Sequence, residues 1–148
     1  MEEIRLKARA KINLTLDVTG KRDNGYHELQ MIMQTVGLYD EIVLRKIPEN
    51  EIRLESNVSW LPADNRNLAW RAAELMRSTY DIKEGVLIQI DKRIPVAAGL
   101  AGGSADCAAV LVGMNKLFSL KLPAKKLEEL ALTMGTDIPY CVRRGTVL

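Results

Sequence analysis

The 148 residues, 47% hydrophobic and 27% charged, are enough for one domain with a workable core and sit close to globular averages. The 21 basic and 19 acidic residues leave a formal net charge of +2, too balanced to point to nucleic acid or a membrane surface. Met1-Glu2-Glu3 lacks the basic start and apolar stretch of a targeting segment, and the longest apolar run falls far short of the ~20 residues that span a bilayer, so a cytoplasmic protein is expected. Cys107, Cys141 and the single His27 do not have the spacing of a zinc site, and both cysteines read as reduced core thiols.

In chain order the pattern is a mixture of strands and helices. Residues 4–18 read as one long strand or two with a bend; Ile12, Leu14, Leu16 and Val18 alternate, which places Lys11, Asn13, Thr15 and Asp17 on the opposite face. Gly20 to Gly25 is a polar loop of turn formers. Residues 29–37 and 41–47 read as strands about a turn at Gly37 and Tyr39-Asp40, and 51–55 as a short third strand. Asn67 begins a helix to about Tyr80, with Leu68, Ala72, Leu75, Met76 and Thr79 at helical spacing. Residues 85–92 form a strand that feeds a glycine-rich loop, and 105–118 an apolar helix after it. Pro123 suits the first turn of a last helix through Met134, ended by Gly135. The sum is an α+β domain with no repeat or linker.

The glycine-rich run carries the chemistry. Gly99, Gly102 and Gly103 allow close backbone approach to a ligand, and the helix that follows presents free amides and a positive dipole end suited to phosphate. No lysine follows the glycines, so this is not a P-loop, and charge must come from elsewhere in the fold. The loop lies late in the chain and its spacing is wrong for a dinucleotide-binding fingerprint. A tight helix-start turn without a ligand is the competing reading.

The wording Pro95-Val96-Ala97-Ala98-Gly99-Leu100-Ala101-Gly102-Gly103-Ser104-Ala105 resembles the phosphate-binding motif of the GHMP kinase superfamily. Ala10-Lys11-Ile12-Asn13-Leu14, Gly25-Tyr26-His27 and Gly135-Thr136-Asp137-Ile138-Pro139 resemble, in order, further segments of the branch that phosphorylates 4-diphosphocytidyl-2-C-methyl-D-erythritol. The resemblance runs from about Lys7 to Val147 and covers about half of the family's length. It implies a GHMP kinase N-terminal, ATP-binding domain over residues 1–148, like the second domain of ribosomal protein S5 and containing a left-handed β-α-β unit. It also implies a C-terminal domain that this chain lacks, so that the chain alone is expected to be inactive.

The resemblance further implies ATP with Mg²⁺, transfer to the 2-hydroxyl of the cytidine diphosphate-linked methylerythritol in non-mevalonate isoprenoid precursor synthesis, and roles for named residues. Asp137 would orient the hydroxyl and take its proton, with Lys11 close by in space. On residues alone, Asp137 is a turn or capping aspartate and Lys11 a solvated strand lysine. The run 95–105 would hold the phosphates, although Ser104 is equally suited to cap the helix. Asn67 resembles a residue lining the adenine pocket, against a plain helix cap. Asn13, Tyr26 and His27 would meet the substrate, Tyr26 by stacking on cytosine; a Tyr packed over the loop and a satisfied His are the alternatives. Asp106 suits the helix dipole in the first turn without touching metal, and the magnesium ligand is not assigned. Two other functions fit less well: another GHMP small-molecule kinase, and an S5-like nucleic-acid-binding module, which the charge balance and 5% aromatic content disfavour.

Overall fold

The computed structural model describes residues 1–9, 38–94 and 102–147. The strands β1 (Glu3–Arg9), β2 (Tyr39–Ile47), β3 (Ile52–Ser56), β4 (Gly85–Asp91) and β5 (Thr146–Val147) form one sheet in the order β3-β4-β2-β1-β5. Neighbours are antiparallel except β3 and β4, which run parallel, with Ile52 opposite Val86 and Ser56 opposite Ile90. Period-2 alternation assigns the two faces. Ile4, Leu6 and Ala8 of β1, Ile42 and Leu44 of β2, and Val86, Ile88 and Ile90 of β4 are buried on one face. The other carries an ion-paired surface in which Glu3 accepts from Arg45 at 2.7 Å and Arg5 approaches Glu41 at 3.6 Å.

Helices α1 (Leu68–Thr79) and α2 (Gly102–Leu117) pack on the apolar face and on each other. The α1 stripe is Ala69, Ala72, Ala73 and Met76. Small alanines bring α1 close to α2; Leu68 and Leu75 are only partly buried and Thr79 is exposed, so the predicted stripe is rotated by part of a turn. Helix α2 is apolar on nearly all sides, with Cys107, Ala108, Ala109, Val110, Leu111 and Met114 fully buried, as expected of a helix enclosed by sheet and helices. Helix α3 (Ala124–Leu132) buries Leu127, Leu130 and Ala131, and a short α4 (Ile138–Tyr140) runs into a π-helical turn at Cys141–Gly145 before β5 returns to pair with β1.

The α+β class agrees with the sequence reading; several boundaries move. Tyr39 and Asp40 belong to β2 and make no turn, because pairing with Arg9 and Ala8 extends the strand to them. Helix α2 starts at Gly102, three residues before the expected 105, so Ser104 lies inside its first turn and is not the cap, and Asp106 falls in the second turn. Pro123 occupies the capping position of α3 with extended backbone, one residue before the first turn, and that helix ends at Leu132, two residues short of Met134. Of the predicted strand over 4–18, residues 3–9 are described; the strand over 29–37 lies outside the described residues. The β3–α1–β4 crossover joins two parallel neighbouring strands, a β-α-β unit of the kind expected to be left-handed.

Candidate active site

Two of the predicted segments flank the first two turns of α2: Leu68 beside Gly103, and Met134 beside Cys107. In a helix beginning at Gly102, the first-turn amides have no carbonyl four residues back and must find other acceptors. Gly103 is exposed, and among the described residues a side chain there would meet only Leu68 Cδ1, at 3.9 Å. The start of α1 therefore lies beside the start of α2. Ala105 is buried, so any contact at that position is made by backbone.

Asn67 caps α1: its Oδ1 accepts from the Ala69 amide at 2.8 Å while its Nδ2 donates to the Pro62 carbonyl at 2.9 Å. The capping alternative weighed for this residue is thus realised. On the other side of α2, Met134 Sδ lies 3.6 Å from Cys107 Sγ, which brings the segment leading to Asp137 against the second turn of α2. Ile138 donates to the Gly135 carbonyl at 3.4 Å, closing a turn that holds the exposed Asp137 just ahead of α4. Asp137 makes no capping hydrogen bond to that helix, so the turn reading stands and the capping reading does not. Both cysteines are buried thiols; burial, with Cys141 nearby, pushes the Cys107 thiol up to about 12.

Two features of this end of the fold were not anticipated. Tyr39 gathers cations, with Lys7 Nζ at 4.9 Å, Arg93 Cζ at 5.1 Å and Arg9 Cζ at 6.0 Å from its ring centroid. Beneath them, Lys92 Nζ donates to Asp40 Oδ2 at 2.7 Å and to Asp106 Oδ2 at 3.1 Å, all three side chains being buried. Asp106 is thereby engaged with an ammonium. Among the described residues no cluster of acidic, His and Cys side chains is shaped for a metal ion, and no helix is long and apolar enough to cross a membrane. Lys11, Asn13, Tyr26 and His27, together with Pro95, Val96, Ala97, Ala98, Gly99, Leu100 and Ala101, lie outside the described residues, as does the expected Lys11–Asp137 proximity.

Comparison with known proteins settles the family. The family described as GHMP kinases N terminal domain matches residues 67–145, from the cap of α1 through the π-helical turn. The chain belongs to the GHMP kinases. Within them it is 54% identical over 148 residues to a 4-diphosphocytidyl-2-C-methyl-D-erythritol kinase of Lachnospira eligens, covering all of this chain and 51% of that protein. It is 55% identical over 143 residues to the kinase of the same name from Clostridium botulinum, covering 97% and 51%. The chain thus spans about half the length of the curated relatives it matches. Among solved structures, homoserine kinase from Cytophaga hutchinsonii superposes with a TM-score of 0.68 at 20% identity, over 95% of this chain and 42% of that one. A 4-(cytidine 5'-diphospho)-2C-methyl-D-erythritol kinase does so with 0.60 at 24%, over 97% and 50%. These likenesses establish that the described sheet and helices have the GHMP kinase fold.

Proposed function

We propose that this chain is the nucleotide-binding, N-terminal part of an ATP-dependent kinase that phosphorylates the 2-hydroxyl of 4-diphosphocytidyl-2-C-methyl-D-erythritol. The observation that supports the reading is that Leu68 lies beside Gly103 in the first turn of α2 and Met134, just ahead of the Gly135–Asp137 turn, lies beside Cys107 in its second, together with the names of relatives 54–55% identical to this chain.

Phosphoryl transfer asks the protein chiefly to position an acceptor hydroxyl, hold the triphosphate and neutralise developing charge. The first-turn amides of α2 suit the phosphates, and Gly103 is exposed. In this reading charge at the reaction centre comes from Lys11. Magnesium enters bound to ATP, held chiefly by the phosphates. Asp137, exposed on its turn, orients the acceptor hydroxyl and accepts its proton, while Tyr26, His27 and Asn13 bind the cytidine-linked substrate and Asn67 lines the adenine side.

The test joins this chain to the remaining half of the Lachnospira eligens relative and follows product from ATP and the cytidine-linked alcohol, with homoserine as the control acceptor. Asp137→Asn is expected to lower turnover by about 10²–10⁴-fold and to leave the ATP dissociation constant within about twofold. Turnover at the wild-type rate removes Asp137 from the mechanism. Phosphorylation of homoserine in place of the cytidine-linked alcohol reassigns the substrate.

A further inference from the structure

Asp40, Lys92 and Asp106 come from three elements and meet in the interior. Asp40 is fully buried near the start of β2, on the face that packs against the helices. Its Oδ1 accepts from two consecutive backbone amides, Arg93 at 2.6 Å and Ile94 at 2.8 Å, and its Oδ2 takes the Lys92 ammonium. That ammonium, on a side chain 6% exposed, also reaches Asp106, which is 4% exposed in the second turn of α2. One ammonium therefore joins the chain leaving β4 to the helix whose first turn faces the proposed phosphate site.

Buried ions are costly unless paired, and a buried pair broken on one side costs more than it contributed when whole. Two carboxylates and one ammonium would leave a net buried charge. Burial and the neighbouring Asp40 carboxyl push Asp106 well above the usual aspartate range, which disfavours a second buried negative charge. Asp106 Oδ1 is buried with no hydrogen-bond partner among the described residues, a poor position for an ionised oxygen. For Lys92 burial opposes the charge, but Asp106 and Asp40 outweigh it and raise the ammonium.

We propose that Asp40, Lys92 and Asp106 are positioning residues that set the first turn of α2 against the end of β4, and thereby set nucleotide affinity from beneath the site. This rests on the reading of that turn as the phosphate site. Pure core packing would predict apolar residues here, since they fill such space at lower cost; an ion cluster is worth its cost where direction matters, because charged hydrogen bonds fix geometry that apolar contact does not.

Magnesium-ATP titrated calorimetrically into the chain reports both a dissociation constant and the fraction of molecules that bind. Asp106→Ala keeps the Lys92–Asp40 pair but frees α2 from it, and is expected to weaken binding about tenfold with the binding fraction unchanged. Asp106→Asn keeps an acceptor for Lys92 and a donor for Asp40, and is expected to bind within about twofold of wild type. Should the alanine variant fail to fold, Asp106→Leu fills the same space with apolar atoms and carries the same expectation as alanine. A wild-type constant in the alanine or leucine variant, with fewer molecules binding, shows a purely structural role and overturns the proposal. Equal weakening by asparagine and alanine overturns it as well. No binding by the wild-type chain removes the nucleotide reading itself, and this inference with it.

Discussion

Because the native chain holds the Asp106 proton to higher pH than an unfolded chain does, its contribution to stability has a definite sign. Below the ordinary aspartate value, about 4, both states are protonated and the contribution is fully present. As pH rises, the unfolded chain releases its proton while the native chain keeps it, so stability falls through the native value. Asp106→Asn should remove that fall. Urea denaturation of both proteins at about pH 4.5 and about pH 7 measures it: the asparagine variant is expected to gain on wild type at the higher pH, and a constant difference between the two would contradict the raised Asp106 value. Little of this cluster was legible in the sequence. Alternation does place Asp40 in phase with Ile42 and Leu44 on the core face, but Tyr39-Asp40 reads as a turn when taken locally. Asp106 stands alone among Ala105, Cys107 and Ala108, and positions 40, 92 and 106 meet only through tertiary structure. Asp137 and the glycines, by contrast, were found through motif wording, which records chemistry without requiring the fold.

At the scale of elements, two helices end in the same way. After α1 the Ile82 amide donates to the Arg77 carbonyl at 2.9 Å across Asp81, whose φ is 54°. After α2 the Leu120 amide donates to the Asn115 carbonyl at 3.0 Å across Ser119, at φ 52°. Both are Schellman closures in which the left-handed position, usually glycine, holds a residue with a side chain. Asp81→Gly and Ser119→Gly should each stabilise the chain by about 0.5–1 kcal/mol by relieving that conformation, less the greater freedom of glycine in the unfolded chain. A rise of roughly 1–4 °C in Tm for each is the expected reading; a fall would show that the side chains contribute more than the strain costs. Both stops were placed to within a residue, at about Tyr80 and 118, but nothing local marks Asp81 and Ser119 as left-handed, since Asp and Ser are ordinary polar residues. Of the helix starts, Asn67 was placed correctly because a side-chain cap has a residue-type preference, whereas α2 began earlier than expected because Gly102 and Gly103 read as loop.

At the scale of the whole molecule, helix α2 approaches the sheet closely at Gly113. A β-carbon there would lie 2.5 Å from Leu44 Cδ1 and 2.9 Å from Leu6 Cδ1, both belonging to fully buried leucines with no solvent to move into. Gly113→Ala adds about 1 kcal/mol of helix propensity, but overpacking costs about 1–3 kcal/mol, so a net loss is expected in urea denaturation. A gain would mean that the leucines repack freely. The general α+β layout was legible because alternation and helical spacing survive in single segments. The strand order was not, since β2 sits between β1 and β4 through pairings that join residues as far apart as Glu41 and Asp91.

That contact has a mechanical side. Helix α2 is a stiff rod, and Gly103 stands ten residues, about 15 Å, along its axis from Gly113. With Gly113 as the fulcrum on the sheet, lifting the rod by a few tenths of an ångström there tilts the far end as well. A single methyl group in the apolar interior, remote from any nucleotide, should therefore loosen the grip on ATP alongside stability, and substitutions that impair such a kinase need not cluster where its ligands bind.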